Sequence, residues 1–198
     1  MTETHEHHAH EHAHHRRPPL AYPDAVAAFR ADKDEFFRTR PGSPIPEAER
    51  AGFQGLPYYP VDEALGFEGL RLEPYTGSEP TSFAIPTSDG QLRPAERAGT
   101  FRFSVDSVSC SLTAYTFEHD DSGAVFVPFL DGTSGTATYG AGRYLDLEPD
   151  EDGTYALDFN LAYHPSCVYD PRFSCPLTPA ENRLPVRIEA GERLAAEG

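Results

Sequence analysis

The hydrophobic pattern predicts one helix near the start of the chain and a series of strands after it. Residues 23–38 carry apolar side chains at three-to-four spacing, and Asp24 can cap the first turn. Lys33 interrupts the apolar stripe, so we expect this helix to lie on the domain as a lid. Proline at position 41, with two more soon after, ends any helix there.

Most of the remaining chain alternates apolar and polar residues, as strands buried on one face do. The predicted strands are 83–85, 101–105, 108–114, 125–129, 136–147, 155–161 and 186–190. Turn residues separate these runs at short intervals, and no βαβ rhythm is present. The pattern therefore predicts an all-β, mostly antiparallel fold, a sandwich or barrel-like single domain with one N-terminal helix.

The first 20 residues differ in composition from the rest. They form a histidine-rich tail that cannot build a core and is predicted to be disordered, and residues 21–198 form the single β-rich domain. The tail histidines are His5, His7, His8, His10, His12, His14 and His15. Because neutral imidazole is a good ligand for divalent transition metals, the tail is either a metal-buffering segment or one that binds metal only incidentally.

The charge balance limits the classes of partner. Acidic residues outnumber basic ones by 32 to 16, and Lys33 is the only lysine. A net charge of −16 would repel nucleic acid and anionic membranes, so neither is expected as a partner. No apolar run approaches the roughly 20 residues of a membrane span, and the N-terminus lacks the apolar core of a secretory signal. These features predict a cytoplasmic protein.

One polar constellation can line a pocket. Asp158 and Asn160 lie two apart on a predicted strand, so their side chains leave the same face, toward solvent or a cavity. Together with Tyr163 and Arg143, whose guanidinium is a planar fork of donors, they can bind a polar small molecule. The other interpretation is a structural clamp in which Asp158 pairs with Arg143. The leading hypothesis is a small-molecule-binding β-domain; the alternative is a hydrolase-like enzyme with Asp158 as general base.

A glycine-rich turn lies beside this constellation. Asp131 begins the turn DGTSG, and Tyr139 follows it. Backbone amides in such a turn can bind an anion, but no P-loop lysine follows, so a structural hairpin is the other interpretation. Asp131 and Tyr139 complete the set of predicted ligand-binding residues.

The cysteine loop supports three interpretations. His164, Cys167 and Cys175 are ligands that zinc accepts, but a closed structural site needs four. The two cysteines can instead form a disulfide or redox-labile pair, or pack as free thiols. A metal site at these residues, or at His7, His8, His10 and His12 in the tail, therefore remains one of several hypotheses.

Long phrases of the sequence resemble a known family. They are FQGLPYYPVD (53–62), DGTSGTATYGAGRYL (131–145), LDFNLAYHPSCVYDPRFSCPLTPAENRLP (157–185) and IEAGE (188–192). They resemble the family called domain of unknown function 1684, which implies no activity. Relatives that look secreted favour the disulfide between Cys167 and Cys175. The family pattern usually has asparagine where this chain has His164, which weakens the case for a histidine ligand.

Overall fold

The computed structural model describes residues 21–117 and 122–195, so the histidine-rich tail lies outside the described residues. The helices are α1 (Tyr22–Thr39) and α2 (Glu47–Arg50), with single-turn 3-10 helices at Glu63–Leu65, Phe159–Leu161, Ser166–Val168 and Ala180–Asn182. The strands are β1 (Gly66–Leu70), β2 (Ser82–Pro86), β3 (Leu92–Val105), β4 (Val108–Thr116), β5 (Val125–Phe129), β6 (Arg143–Leu147) and β7 (Tyr155–Asp158). No described helix is long and apolar enough to span a membrane.

Helix α1 confirms the predicted helix to within one residue at each end. Ala25, Val26 and Phe37 are its buried side chains. Lys33 interrupts the apolar stripe with a charge, and its ammonium group lies 2.6 Å from the buried carboxylate of Glu192. The face of α1 that packs on the domain therefore carries apolar side chains and one charged lysine.

The strands form a five-stranded antiparallel sheet in the order β2-β3-β4-β5-β6 and a two-stranded antiparallel sheet of β1 and β7. The long strand β3 turns into β4 through Asp106 and Ser107, whose φ angles of 48° and 66° suit a tight two-residue hairpin turn. The all-β, mostly antiparallel prediction is confirmed. The described strands do not close into a barrel.

The core lies between the two sheets. Phe101, Leu112, Val127 and Leu157 are fully buried there. Phe159 is fully buried as well, and its ring contacts three other phenylalanine rings with centroids 5.1–6.2 Å away. Such aromatic packing contributes beyond the area it buries. The periodic apolar positions of the sequence are therefore the core.

Strand β6 begins at Arg143, later than the predicted start at residue 136. The preceding residues 131–142 form turns instead, closed by buried side chains. Thr133 Oγ1 donates to Asp131 Oδ1 at 2.6 Å and lies 2.9 Å from Thr138 Oγ1. These hydroxyl groups satisfy the turn locally, which competes with strand pairing.

Strand β7 ends at Asp158, before the predicted end at residue 161. The Asp158 carboxylate accepts a hydrogen bond from the backbone N–H of Asn160 at 2.9 Å and so caps a 3-10 turn. Alternation of side chains between two faces therefore stops at this point. The two side chains still meet, because Asn160 Nδ2 donates to Asp158 Oδ1 at 3.1 Å, but both are buried and neither faces solvent.

Residues 186–190 alternate as predicted but do not form a strand. Ile188 and Ala190 are fully buried in the core, as the pattern requires. The backbone carbonyls of both residues accept hydrogen bonds from the guanidinium of Arg143 instead of from a neighbouring strand. One buried side chain thus satisfies two carbonyls of this segment.

Candidate functional site

Arg143 is almost completely buried, with 1% of its surface exposed. Its Nη1 donates to the carbonyls of Ala190 and, at 3.1 Å, Glu192. Its Nη2 donates to the Ile188 carbonyl at 2.7 Å and to Asp131 Oδ2 at 3.2 Å. Arg143 therefore pairs with Asp131, not with Asp158 as the clamp interpretation expected, and it holds the carboxyl-terminal segment in place.

Asp158 and Asn160 belong to a second network, at the start of α1. The Tyr22 hydroxyl donates to both carboxylate oxygens of Asp158, at 2.8 and 2.9 Å. Asn160 Nδ2 donates to the Tyr22 hydroxyl and to the Asp62 carbonyl, each at 2.7 Å, and its Oδ1 accepts from Asp62 N at 2.9 Å. These contacts fasten α1 and the residues around Asp62 to the end of β7.

Between these networks lies a carboxylate that the sequence reasoning missed. Glu192 has 1% of its side chain exposed, and its Oε2 accepts hydrogen bonds from Tyr169 Oη at 3.0 Å and His164 N at 2.7 Å. Its Oε1 lies 2.6 Å from Lys33 Nζ in an ion pair whose angles are not those of a hydrogen bond. The only lysine of the chain thus meets a fully buried glutamate.

Aromatic rings enclose the lysine. Lys33 Nζ lies 4.5 Å from the ring centroid of Tyr163 and 5.4 Å from that of Phe37. The Tyr163 hydroxyl donates to Asp146 Oδ2 at 2.5 Å, and its ring packs edge-on against Tyr144 at 5.7 Å. Tyr163, predicted to line a pocket with Arg143, therefore forms one wall around the ammonium group of Lys33.

The imidazole of His164 packs next to the carboxylate of Glu192. Its Nε2 accepts a hydrogen bond from the backbone N–H of Tyr139 at 3.2 Å, and its Nδ1 is 3.8 Å from Glu192 Oε2. Burial lowers the pKa of His164 to about 4, while the Glu192 carboxylate opposes this shift. The imidazole is therefore neutral at pH 7, with its proton on Nδ1 and its Nε2 lone pair engaged.

The cysteine loop lies next to this histidine. All cysteines of the described residues are free thiols, and Cys175 Sγ accepts a hydrogen bond from Cys167 N at 3.3 Å. Burial raises the pKa of the Cys175 thiol to about 11. Among the described residues, no three His, Cys, Asp or Glu side chains are grouped to hold a metal ion. The metal site at His164, Cys167 and Cys175 therefore stays a prediction, and the Nε2 lone pair of His164 is engaged by Tyr139 N in this structure.

Five buried polar side-chain atoms of the described residues have no hydrogen-bond partner. Among the described residues, the buried side-chain nitrogen and oxygen atoms without a hydrogen-bond partner are Arg30 Nε, Tyr58 Oη, Tyr59 Oη, Arg143 Nε and Glu192 Oε1. Two of these groups have a compensating charge, since Lys33 lies beside Glu192 Oε1 and Asp131 pairs with the guanidinium of Arg143. Buried polar groups without a partner are rare in folded proteins, and each costs roughly 1–3 kcal/mol.

Direct contacts connect the residues that carry these atoms, since Tyr58 pairs with Glu192 in a β-bridge and Arg143 Nη1 donates to the Glu192 carbonyl. The guanidinium of Arg30 lies 4.5 Å above the Tyr58 ring, and its Nη1 donates to the Tyr59 carbonyl at 2.9 Å. Burial raises the pKa of the Tyr58 hydroxyl, and the charge of Glu192 raises it further. Burial also raises the pKa of Tyr59, while Arg143 opposes that shift. We call this cluster of Arg30, Tyr58, Tyr59, Arg143 and Glu192 the Glu192 site.

The sequence carried a signal for this site. Every second residue from 186 to 190 points toward the core, and Glu192 is the next position of this series, so it belongs to the buried face. Lys33 has the corresponding place on the inward stripe of α1. Opposite charges on two apolar faces favour a buried ion pair, although neither pattern alone says that the faces meet.

The pattern of one family, described as "Protein of unknown function (DUF1684)", matches residues 51–193. The chain belongs to this family. The resemblance drawn from the sequence phrases is thereby confirmed. Glu192, Tyr163 and His164 lie inside the DUF1684 region, whereas Lys33 lies in α1, before the matched residues.

A solved structure of similar sequence has the same fold. It is the solution NMR structure of an uncharacterized protein from Haloarcula marismortui, 40% identical, and the match has a TM-score of 0.66. The match covers 88% of this DUF1684 chain and 95% of the other chain. No curated protein matches the chain. Neither the family nor the solved structure carries an assigned function.

Proposed function

We propose that this DUF1684 protein is a small-molecule-binding domain whose pocket is the Glu192 site, beneath helix α1. The observation that carries the proposal is that five buried polar atoms lack hydrogen-bond partners on residues that contact one another. Since isolated buried polar groups are costly, a ligand that supplies their missing partners would gain that free energy on binding.

The donors and acceptors of the site define the chemistry of its ligand. Arg30 and Arg143 each have an unused Nε–H donor, and Tyr58 and Tyr59 each have an unused hydroxyl. Hydroxyl, carbonyl or carboxylate oxygens would complement these groups. The carboxylate of Glu192 complements a cation. The site thus suits a compact polar molecule with oxygen atoms at one end.

This proposal keeps some of the predicted pocket residues in the site and assigns others to the support of α1. Arg143 stays in the site through its Nε, and Tyr163 and Tyr139 stay nearby through Lys33 and His164. Asp158 and Asn160 are engaged by Tyr22 and fasten α1 above the site. The hydrolase alternative, with Asp158 as general base, finds less support, because both oxygens of that carboxylate already accept hydrogen bonds.

An NMR titration tests the proposal. Isotope-labelled protein is titrated with a panel of small hydroxylated, carboxylated and amino compounds, and backbone amide shifts are followed. We expect at least one compound to shift amides of residues 30–37, 58–59, 163–169 and 190–193 together. A panel that leaves these amides unmoved, or that moves a different region, would contradict the proposal.

The variant Tyr58→Phe sharpens this test. It removes a buried hydroxyl that has no partner, so the variant should be more stable than wild type by about 1 kcal/mol. A ligand contact at this hydroxyl predicts weaker binding by the same, more stable variant. Tyr115→Phe is the matched control, because the Tyr115 hydroxyl donates to Glu181 at 3.0 Å and its loss should destabilise the protein.

Two expectations remain proposals from the sequence alone. The tail histidines, including His7, His8, His10 and His12, can bind a divalent transition metal, and metal analysis with and without residues 1–18 tests this. The cytoplasm stays the proposed compartment, and the expected absence of nucleic-acid and membrane partners rests on the charge of −16.

A further inference from the structure

The surroundings of Lys33 are those of a bound ammonium ligand. A cation is attracted to the face of an aromatic ring within about 6 Å, and more strongly where water is excluded. Lys33 Nζ lies within that distance of both Tyr163 and Phe37, and its charge is neutralised by the buried Glu192. We call Glu192, Tyr163 and Phe37 the ammonium cage.

The Glu192 and Tyr163 walls of the cage are held in place without Lys33. Glu192 Oε2 is fixed by Tyr169 Oη and by the backbone N–H of His164. Tyr163 is fixed by the hydrogen bond from its hydroxyl to Asp146. A site whose walls are positioned independently of the occupant is preorganised, which reduces the cost of binding.

Helix α1 is likewise held without the lysine. Arg30 donates to the carbonyls of Tyr59 and Asn160 at 2.9 and 3.2 Å. Asp34 Oδ1 accepts from Leu56 N at 2.9 Å, and Tyr22 is bound to Asp158. The Lys33 side chain is 17% exposed, so part of it already contacts solvent.

We propose that Glu192, Tyr163 and Phe37 form a binding site for a primary alkylammonium group, and that the Lys33 side chain is its resident occupant, displaced when such a ligand binds. This inference rests on the proposed function and adds the class of group that the ligand carries beside Glu192. A primary ammonium is favoured over a quaternary one, because methyl groups on nitrogen would prevent the 2.6 Å approach to the carboxylate.

Chemical rescue tests the cage. Lys33→Ala removes Cγ, Cδ, Cε and Nζ, and n-propylammonium contains the same four heavy atoms. The variant should have a lower Tm than wild type, because Glu192 loses its counter-charge. Added n-propylammonium chloride should raise the Tm of Lys33→Ala by several degrees and that of wild type by much less. 1-Propanol, tetramethylammonium chloride and sodium chloride at equal concentration should not.

The double variant Lys33→Ala/Glu192→Gln is the matched control and should lose the selective effect of n-propylammonium. An equal effect on wild type, single and double variants would overturn the cage, as would an equal effect of 1-propanol on Lys33→Ala. If Lys33→Ala does not fold, the wild-type protein still gives an answer. Because Lys33 is the only lysine, ¹³C-labelled lysine gives one Cε signal, and n-propylammonium should move it toward the shift of a solvated lysine.

The outcomes separate the cage from the general proposal. Rescue of Lys33→Ala together with movement of the wild-type lysine signal, while no panel compound shifts the amides of Tyr58 and Tyr59, supports the cage and overturns the small-molecule function of the Glu192 site. Binding of a panel compound at Tyr58 and Tyr59, with no rescue and no change in the lysine signal, supports the function and overturns the cage.

Discussion

Acid should destabilise this protein through His164. The folded protein holds this imidazole neutral, since burial lowers its pKa from the ordinary 6.5 to about 4. In the unfolded chain the same side chain takes up a proton near pH 6.5. Because the folded-state pKa is the lower one, the stability that His164 contributes is complete above about pH 6.5 and is lost as the pH falls toward 4.

The size of the effect follows from the two pKa values. Linkage between about 6.5 and about 4 gives a loss of about 2 kcal/mol at pH 5 and about 3 kcal/mol below pH 4. Burial is the largest cause; the positive charges of Arg143 and Lys33 lower the pKa of His164 further, and Glu192 raises it. The histidine is 4% exposed, so screening by solvent does little to reduce this figure.

His164→Asn is the variant to measure. Asparagine does not titrate, and its Oδ1 can still accept the hydrogen bond that Tyr139 N now donates to the imidazole. Urea unfolding of wild type and variant at steps between about pH 7.5 and about pH 5 gives the free energy of unfolding of each. We expect the difference between the two proteins to shift by about 2 kcal/mol in favour of the variant as the pH falls to 5.

Parallel curves of unfolding free energy against pH for wild type and His164→Asn would refute the role given to His164. If wild type and His164→Asn lose stability equally over this range, then the imidazole either titrates normally in the folded protein or is not buried. His119→Asn serves as control. That residue lies outside the described residues, and its place in the polar turn sequence EHDDSG predicts a solvated side chain, so its removal should leave the pH dependence of stability unchanged.

Three further variants test the fold around the site. Arg143→Met should destabilise by about 3–5 kcal/mol in urea unfolding, because Asp131 and three carbonyls lose a fully buried partner. Asn182→Ala should cost about 3 kcal/mol by the same assay, since this buried amide makes three hydrogen bonds that join β4 to β5. Gly99→Ala should lower the Tm, because an added Cβ would lie 2.5 Å from the Glu73 carbonyl oxygen.

Matched exposed positions supply the controls for these variants. Arg187→Met removes a guanidinium that is 54% exposed and should change stability by less than about 1 kcal/mol. Gly90→Asn places a side chain where nothing lies within 4 Å, at a φ of 81° that asparagine tolerates. Losses as large in these controls as in the buried variants would mean that burial is not the cause.

The sequence determined the class of fold and the positions of the core. Alternation in β3 and β4 and the apolar run in β5 specify which side chains are buried, and the stripe on α1 specifies its inward face. These are local consequences of strand and helix periodicity, so they can be read without knowing what lies opposite. The buried positions of Ile188 and Ala190 were predicted for the same reason.

Only the tertiary structure decided where alternation stops and which charges meet. The capping of Asn160 by Asp158 ends β7, and the guanidinium of Arg143 donates to the carbonyls of Ile188, Ala190 and Glu192. Lys33 and Glu192 are separated by most of the chain, and nothing local indicates that they form a pair. A side chain's periodicity follows from its own backbone, whereas its partner depends on how distant segments pack. For this reason the sequence predicted the core, and the structure was needed to find the Glu192 site.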